Sequence, residues 1–278
     1  MLYKVKDLKG YKLNGKDGEI GKVKELYFDD KYWTVRYLVA DTGSWLSSRK
    51  VLISPYALLD VNQDGEYISV DLTKSQIEDS PSLDSDKPVS RQFEDSYYGY
   101  YGWPAYWSGA YVWGGYPGII RDRESRRDFL RNKLDEDFNA WDPHLRSTHA
   151  VGKYRIEASD GGIGHVDDFL IDDESWTIRY LVVNTHNFWP GKKVIISPDW
   201  IDRVSWSESK VFVDVSRESI KLSPIFTDET TLDRDYESSL YQFYNRKAYW
   251  DEESDANELL AQAAKSRKHN HRDRFIGA

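Results

Sequence analysis

Trp33-Thr34-Val35-Arg36-Tyr37-Leu38-Val39 returns 143 residues later as Trp176-Thr177-Ile178-Arg179-Tyr180-Leu181-Val182. The same shift lays residues 11–81 on residues 154–224 without a gap, and 26 of those 71 positions are identical. Around the central match, Asp17-Gly18, Ile20-Gly21 and Asp29-Asp30 recur as Asp160-Gly161, Ile163-Gly164 and Asp172-Asp173. Downstream, Ile53-Ser54-Pro55 and Val70-Asp71 recur as Ile196-Ser197-Pro198 and Val213-Asp214. Internal identity at a fixed period marks a tandem duplication.

Each copy reads as short strands separated by turn residues, the pattern of an antiparallel barrel or sandwich. In the first copy, residues 11–13 open a strand that ends in Asn14-Gly15-Lys16-Asp17-Gly18, where positive φ is tolerated. Residues 20–28 form a long strand, and Asp29-Asp30-Lys31 a polar hairpin. Residues 33–41 return with Trp33, Val35, Tyr37 and Val39 at alternate positions. Residues 51–54 stop at Pro55, which cannot continue a central strand. Two further strands flank an Asp64-Gly65 hairpin signal, and Thr73 is placed to cap a short helix.

A Gly-x-Ile-Gly-x-Val strand, an acidic hairpin, a Tyr-Leu-Val strand and a Val-x-Ile-Ser-Pro run resemble the PRC-barrel family, named for the photosynthetic reaction centre. The H subunit there carries such a barrel on its cytoplasmic side, and a ribosome maturation factor has a similar one. The resemblance covers roughly residues 1–81 and 148–226. It implies an all-β chain of two tandem SH3-like PRC-type barrels, at 1–85 and 148–226. A Tyr/Trp/Gly-rich connector with a helix spans 86–147, and a partly helical charged tail spans 227–278. Neither the membrane helix of the reaction-centre subunit nor the RNA-binding partner domain of the maturation factor has a counterpart here, so neither role transfers.

Residues 97–116 hold Tyr97, Tyr98, Tyr100, Tyr101, Trp103, Tyr106, Trp107, Tyr111, Trp113 and Tyr116 among glycines and prolines. The glycines and prolines argue against a regular helix. The rings suit an adhesive segment that docks on its own barrels or on a partner. A mobile low-complexity connector and a carbohydrate platform are the other readings. Residues 121–138 carry an apolar helical stripe, and a helix is expected near 256–265. Trp45 and Trp189, in the loops before the third strand of each copy, are candidate interface anchors. Arg36 and Arg179 sit mid-strand, either pairing across the sheet or marking an interaction face.

The 278 residues carry a net charge of -9, which counts against nucleic acid as a partner. The first alternative to a protein adaptor, an RNA- or ribosome-associated protein, meets that objection. There is no cysteine, so thiol chemistry and disulfides are excluded. No nucleophile elbow, zincin helix, Walker loop or dinucleotide fingerprint occurs. Gly161-Gly162-Ile163-Gly164 leads into a strand, and its counterpart Gly18-Glu19-Ile20-Gly21 points to one turn glycine and one close-packed glycine. Of six histidines only His165 and His186 lie in a repeat, facing Lys22 and Gly43 in the first copy, which leaves no shared metal or catalytic set. The acidic pairs at 29–30 and 172–173 read as solvated hairpin tips. A second alternative is a hydrolase of undetected type.

The sequence therefore predicts a non-catalytic module without cofactor. It would bind a protein partner or self-associate, with peripheral membrane contact as a further option. No apolar leader opens the chain, so a soluble, cytoplasmic protein is expected.

Overall fold

The computed structural model describes residues 1–46, 50–82, 89–107, 145–185 and 192–251. Residues 1–228 form one compact unit and residues 229–278 belong to a second.

The first repeat supplies β2 (Lys12–Gly15), β3 (Gly18–Asp29), β4 (Thr34–Asp41), β5 (Val51–Ile53), β6 (Leu58–Asn62) and β7 (Tyr67–Val70). They hydrogen-bond in the order β5-β4-β3-β2-β7-β6, with β2 and β7 parallel and the other neighbours antiparallel. The second repeat lays β9 (Arg155–Ala158), β10 (Gly161–Asp172), β11 (Ile178–Asn184), β12 (Lys193–Ile196), β13 (Ile201–Ser205) and β14 (Lys210–Val213) in the equivalent order. Both ladders stay open between their outer strands, so the structure shows two seven-stranded sheets and not hydrogen-bonded closed barrels. A 3-10 turn at Pro55–Ala57, repeated at Pro198–Trp200, carries the chain across that gap.

The seventh strand of each sheet comes from the other repeat. β1 (Leu2–Lys4) pairs with β10 and β8 (Leu145–Ser147) pairs with β3, in registers that match through the 143-residue shift. Each leads into one helical turn, α1 (Val5–Leu8) or α4 (Thr148–Val151). The Lys6 amide donates to Asp168 Oδ1 at 3.1 Å. The Thr148 hydroxyl donates to the Leu26 carbonyl at 3.1 Å and accepts the Leu26 amide at 3.2 Å. The sequence offered no sign of this reciprocal exchange, because three-residue strands carry too little periodicity to register.

Thr73 caps α2 (Lys74–Glu78) in a capping box with Gln76, as its position predicted. The Asp-Gly hairpin forms, but Glu66 takes the left-handed conformation, at φ 51°. Gly18 and Gly161 hold positive φ in turns, and Gly21 and Gly164 lie too close to neighbouring carbonyls to carry a Cβ.

The aromatic segment departs from expectation. Residues Arg91–Tyr101 form a regular helix, α3, despite Gly99. Ser90 caps its start by accepting the Phe93 amide, and Gly102 ends it in the left-handed conformation at φ 67°. Burial of Tyr97 and Tyr98 outweighs the roughly 1 kcal/mol that an internal glycine costs. The expected helices at 121–138 and 256–265 lie outside the described residues.

Candidate interaction site

α3 packs on the first sheet through hydrogen-bonded aromatic rings. The Tyr97 hydroxyl donates to the Leu52 carbonyl at 2.9 Å and accepts the Ser54 amide at 3.2 Å. The Tyr98 hydroxyl meets Ser54 Oγ at 3.2 Å. Glu94, 0% exposed, joins sheet, helix and following loop. Its Oε1 accepts from the Tyr37 and Tyr106 hydroxyls, both at 2.8 Å, and its Oε2 from Arg91 at 2.8 Å. Burial pushes this carboxyl up to about 7, against the pull of Arg91 and the two hydroxyls. The same burial holds Tyr37, Tyr97 and Tyr106 well above the usual phenol range.

Beyond the anchors the rings turn outward. Trp103 stacks on Tyr101 with centroids 4.4 Å apart and planes 11° apart, and on Tyr56 at 5.9 Å and 21°. Trp107 lies edge-on to Tyr98 at 5.3 Å, and the Arg91 guanidinium covers it at 4.2 Å. Tyr101, Trp103 and Trp107 are half-exposed, and Tyr100 is 42% exposed with its hydroxyl on the Gln76 carbonyl at 3.0 Å. Ten sequence candidates thus divide into a buried set (Tyr97, Tyr98 and Tyr106), an outward set (Tyr100, Tyr101, Trp103 and Trp107), and Tyr111, Trp113 and Tyr116, which lie outside the described residues.

The arginines face inward. Arg36 is 0% exposed, pairs with Asp29 at 3.1 Å and lies under the Tyr106 ring at 4.1 Å. Arg179, also buried, pairs with Asp172 at 3.2 Å. In the folded chain neither offers a face to a docking partner. The acidic tips are not solvated as expected: Asp29 is buried and also accepts the Lys31 and Tyr32 amides, while Asp172 is held below the ordinary carboxylate range, partial burial being outweighed by the Ser175 hydroxyl and the Arg179 charge. Asp30 pairs with Arg146 at 2.7 Å, across the exchanged strand. Trp45 is half-exposed and donates its indole N–H to the Ile20 carbonyl at 2.8 Å. Trp189 lies outside the described residues.

Sequence reasoning missed Arg91 and Glu94, although the 143-residue shift would have found them. Beyond residue 90 it sets Arg91, Glu94, Tyr98, Tyr106 and Trp107 over Arg234, Glu237, Tyr241, Tyr249 and Trp250. The second unit repeats the helix, its ion pair and its ring contacts. Helix α6 (Arg234–Phe243) begins at the cap Asp233, Arg234 pairs with Glu237 at 3.3 Å, Tyr249 donates to Glu237 at 3.0 Å, and Arg234 covers Trp250 at 4.0 Å. The repeat therefore continues into residues 227–278, where the sequence predicts a partly helical charged tail. α5 (Arg217–Leu222) completes the described helices of the first unit.

Comparison with known proteins agrees with this fold where it reaches. The PRC-barrel domain family matches residues 1–77. The second repeat is tied to the first by the internal identity and the common strand order. An uncharacterized protein of Deinococcus radiodurans is 31% identical over 86 residues, which is 31% of this chain and 30% of that protein. Among the described residues no helix is long and apolar enough to cross a membrane, and no three His, Asp or Glu side chains are grouped to hold a metal ion.

Proposed function

We propose that the chain is a non-catalytic assembly module whose two repeats are PRC-type, SH3-like barrels. Its contact with a protein partner, or with another copy of itself, lies on the outward rings after α3. The half-exposed stack Tyr56–Trp103–Tyr101 carries this reading. Those rings rest on buried, hydrogen-bonded Tyr97 and Tyr98, so a partner meets large surfaces already ordered, and little side-chain entropy is lost on binding. A place on the cytoplasmic side of a membrane complex is the finer version, and fold-level analogy is its support.

A photo-cross-linking residue at Tyr100, irradiated in intact source cells, tests the proposal. A discrete adduct that disappears in the Trp103→Ala/Trp107→Ala background supports it. Absence of any adduct, or an equal adduct from the exposed Leu59, overturns it.

A further inference from the structure

The reciprocal strands divide the first unit into two halves, residues 1–107 and 145–228. The first half by itself leaves Tyr27, Phe28 and Asp29 of β3 without the neighbour that β8 supplies. Its own β1 finds a partner in β10, which belongs to the second half. The second half has the equivalent deficit at Leu170, Ile171 and Asp172. Open strand edges and unpaired strands are templates for pairing with another chain.

The seam between the halves is specific. Phe28 and Phe169, equivalent residues, meet across it with ring centroids 5.8 Å apart. Lys6 pairs with Asp167 at 2.8 Å, and Asp30 with Arg146 at 2.7 Å. None of these contacts depends on whether the two halves belong to one chain. The sequence has no cysteine, so residues 108–144 are the sole covalent link between the halves. Fully extended, a link of that length reaches roughly 120 Å, which confines the halves to no single pairing.

We propose that two copies of the chain exchange halves, the first half of each completed by the second half of the other. Closed and exchanged forms contain the same contacts. They differ only in the closure of the link and in the entropy of bringing two chains together. Synthesis supplies the occasion. The first half leaves the ribosome before β8 and β10 exist, a delay on the order of several seconds at ~5–20 residues per second. A second half from a neighbouring chain fits its open edge as well as its own does. Either form then persists, because reversal breaks ladder bonds in both sheets. The proposal is independent of what the outward rings bind, although the exchanged dimer presents that surface twice.

The test uses the full chain carrying Tyr27→Cys/Ser147→Cys, half-exposed residues directly opposed in β3 and β8. Opposed residues of antiparallel strands lie about 4.5–5.5 Å apart at Cα, within disulfide reach. The chain is refolded from urea at about 10 µM and at about 1 mM, below and near the effective concentration of a short link. Gel filtration then separates monomer from dimer, and each is oxidised and run on a non-reducing gel. The expected dimer share rises in proportion to protein concentration, and the dimer survives dilution and runs as a covalent pair. It should also remain in the Trp103→Ala/Trp107→Ala background. Should the first cysteine pair prevent folding, Thr34→Cys/Thr177→Cys places the same lock across another pair that bridges the halves. A dimer whose cysteines join only within single chains overturns the proposal, as does a dimer lost on dilution. Loss of the dimer in the ring variant would assign it to the rings and overturn the exchange. Absence of any dimer at about 1 mM overturns it too.

Discussion

Thr34 and Thr177, equivalent residues 143 positions apart, form an antiparallel bridge with each other. On either side the Val35 amide donates to the Trp176 carbonyl at 2.8 Å, and the Ile178 amide to the Trp33 carbonyl at 2.7 Å. Those four residues are themselves two equivalent pairs, so a local twofold axis passes between the threonines. Together with the exchange of β1 and β8, this gives one chain the architecture of an intertwined symmetric dimer. The two sheets cannot separate without breaking ladder bonds in both.

Glu94 makes stability depend on pH. Its carboxyl is raised from 4.5 to about 7, so the fold favours the neutral form. That contribution is complete below the unfolded value of 4.5 and is lost as pH rises through about 7. The groups facing it are Arg91 on α3, Arg36 and Tyr37 on β4, and Tyr98 and Tyr106, and burial raises the three phenols further. Asp168, raised by burial from 3.8 to about 6, adds a decline at lower pH. The melting temperature should therefore keep falling up to about pH 7, beyond the Asp168 decline that ends at about 6, and level off above it. Glu94→Gln, which keeps an acceptor for Tyr37 and Tyr106, should flatten that interval. An unchanged slope in the variant would contradict the assignment.

Tyr97→Phe removes the hydroxyl that serves both Leu52 and Ser54, and leaves the Ser54 amide buried without an acceptor. A loss of about 1–3 kcal/mol in denaturant unfolding is expected. Tyr100→Phe, whose hydroxyl bonds at an exposed site, should stay within about 0.5 kcal/mol of the parent.

Gly21→Ala and Gly164→Ala should each cost about 2–4 kcal/mol. At φ 158° and 151° an added Cβ is driven into the carbonyl oxygens of Asp41 and Asn184. These carbonyls belong to strands β4 and β11, held in ladders with β3 and β10, so the backbone can yield only by disturbing that pairing. Equal penalties at the two sites, read from urea midpoints, would show that the repeats share this close approach.

The sequence disclosed what repeats or alternates. Strands β2 to β7 fall within a few residues of their expected bounds because turn residues punctuate each one. Alternation puts Arg36 and Arg179 mid-strand on the face opposite Trp33/Tyr37 and Trp176/Tyr180, but it does not say whether that face is covered, since alternation separates inside from outside only when one side of a strand is solvated. β4 is buried on both sides, by the second repeat and by α3, so its arginine had to find Asp29. α3 was hidden by Gly99, whose local preference says loop while the tertiary contacts of Tyr97 and Tyr98 say helix. The Arg91–Glu94–Tyr106–Trp107 cluster was legible in principle: its counterpart lies at the same shift, beyond the point where identity first thins.

The reciprocal exchange makes a prediction that distinguishes it from a chain of two independent repeats. Tyr3→Pro fixes φ and removes an amide within β1, which pairs with residues 170–172 of β10. Amide hydrogen exchange should therefore quicken first at Ile171, the partner of Tyr3, and at Asp173, whose amide donates to the Met1 carbonyl at 3.1 Å, both in the second repeat, while Phe28 of the first repeat stays protected by its partner Arg146 in β8. Arg146→Pro in β8 should do the opposite, exposing Phe28 and sparing Ile171. If each substitution deprotected only the repeat in which it sits, the exchanged arrangement would be wrong. With the exchange in place, damage to the first strand of either repeat is felt across the twofold axis, because that strand completes the other sheet.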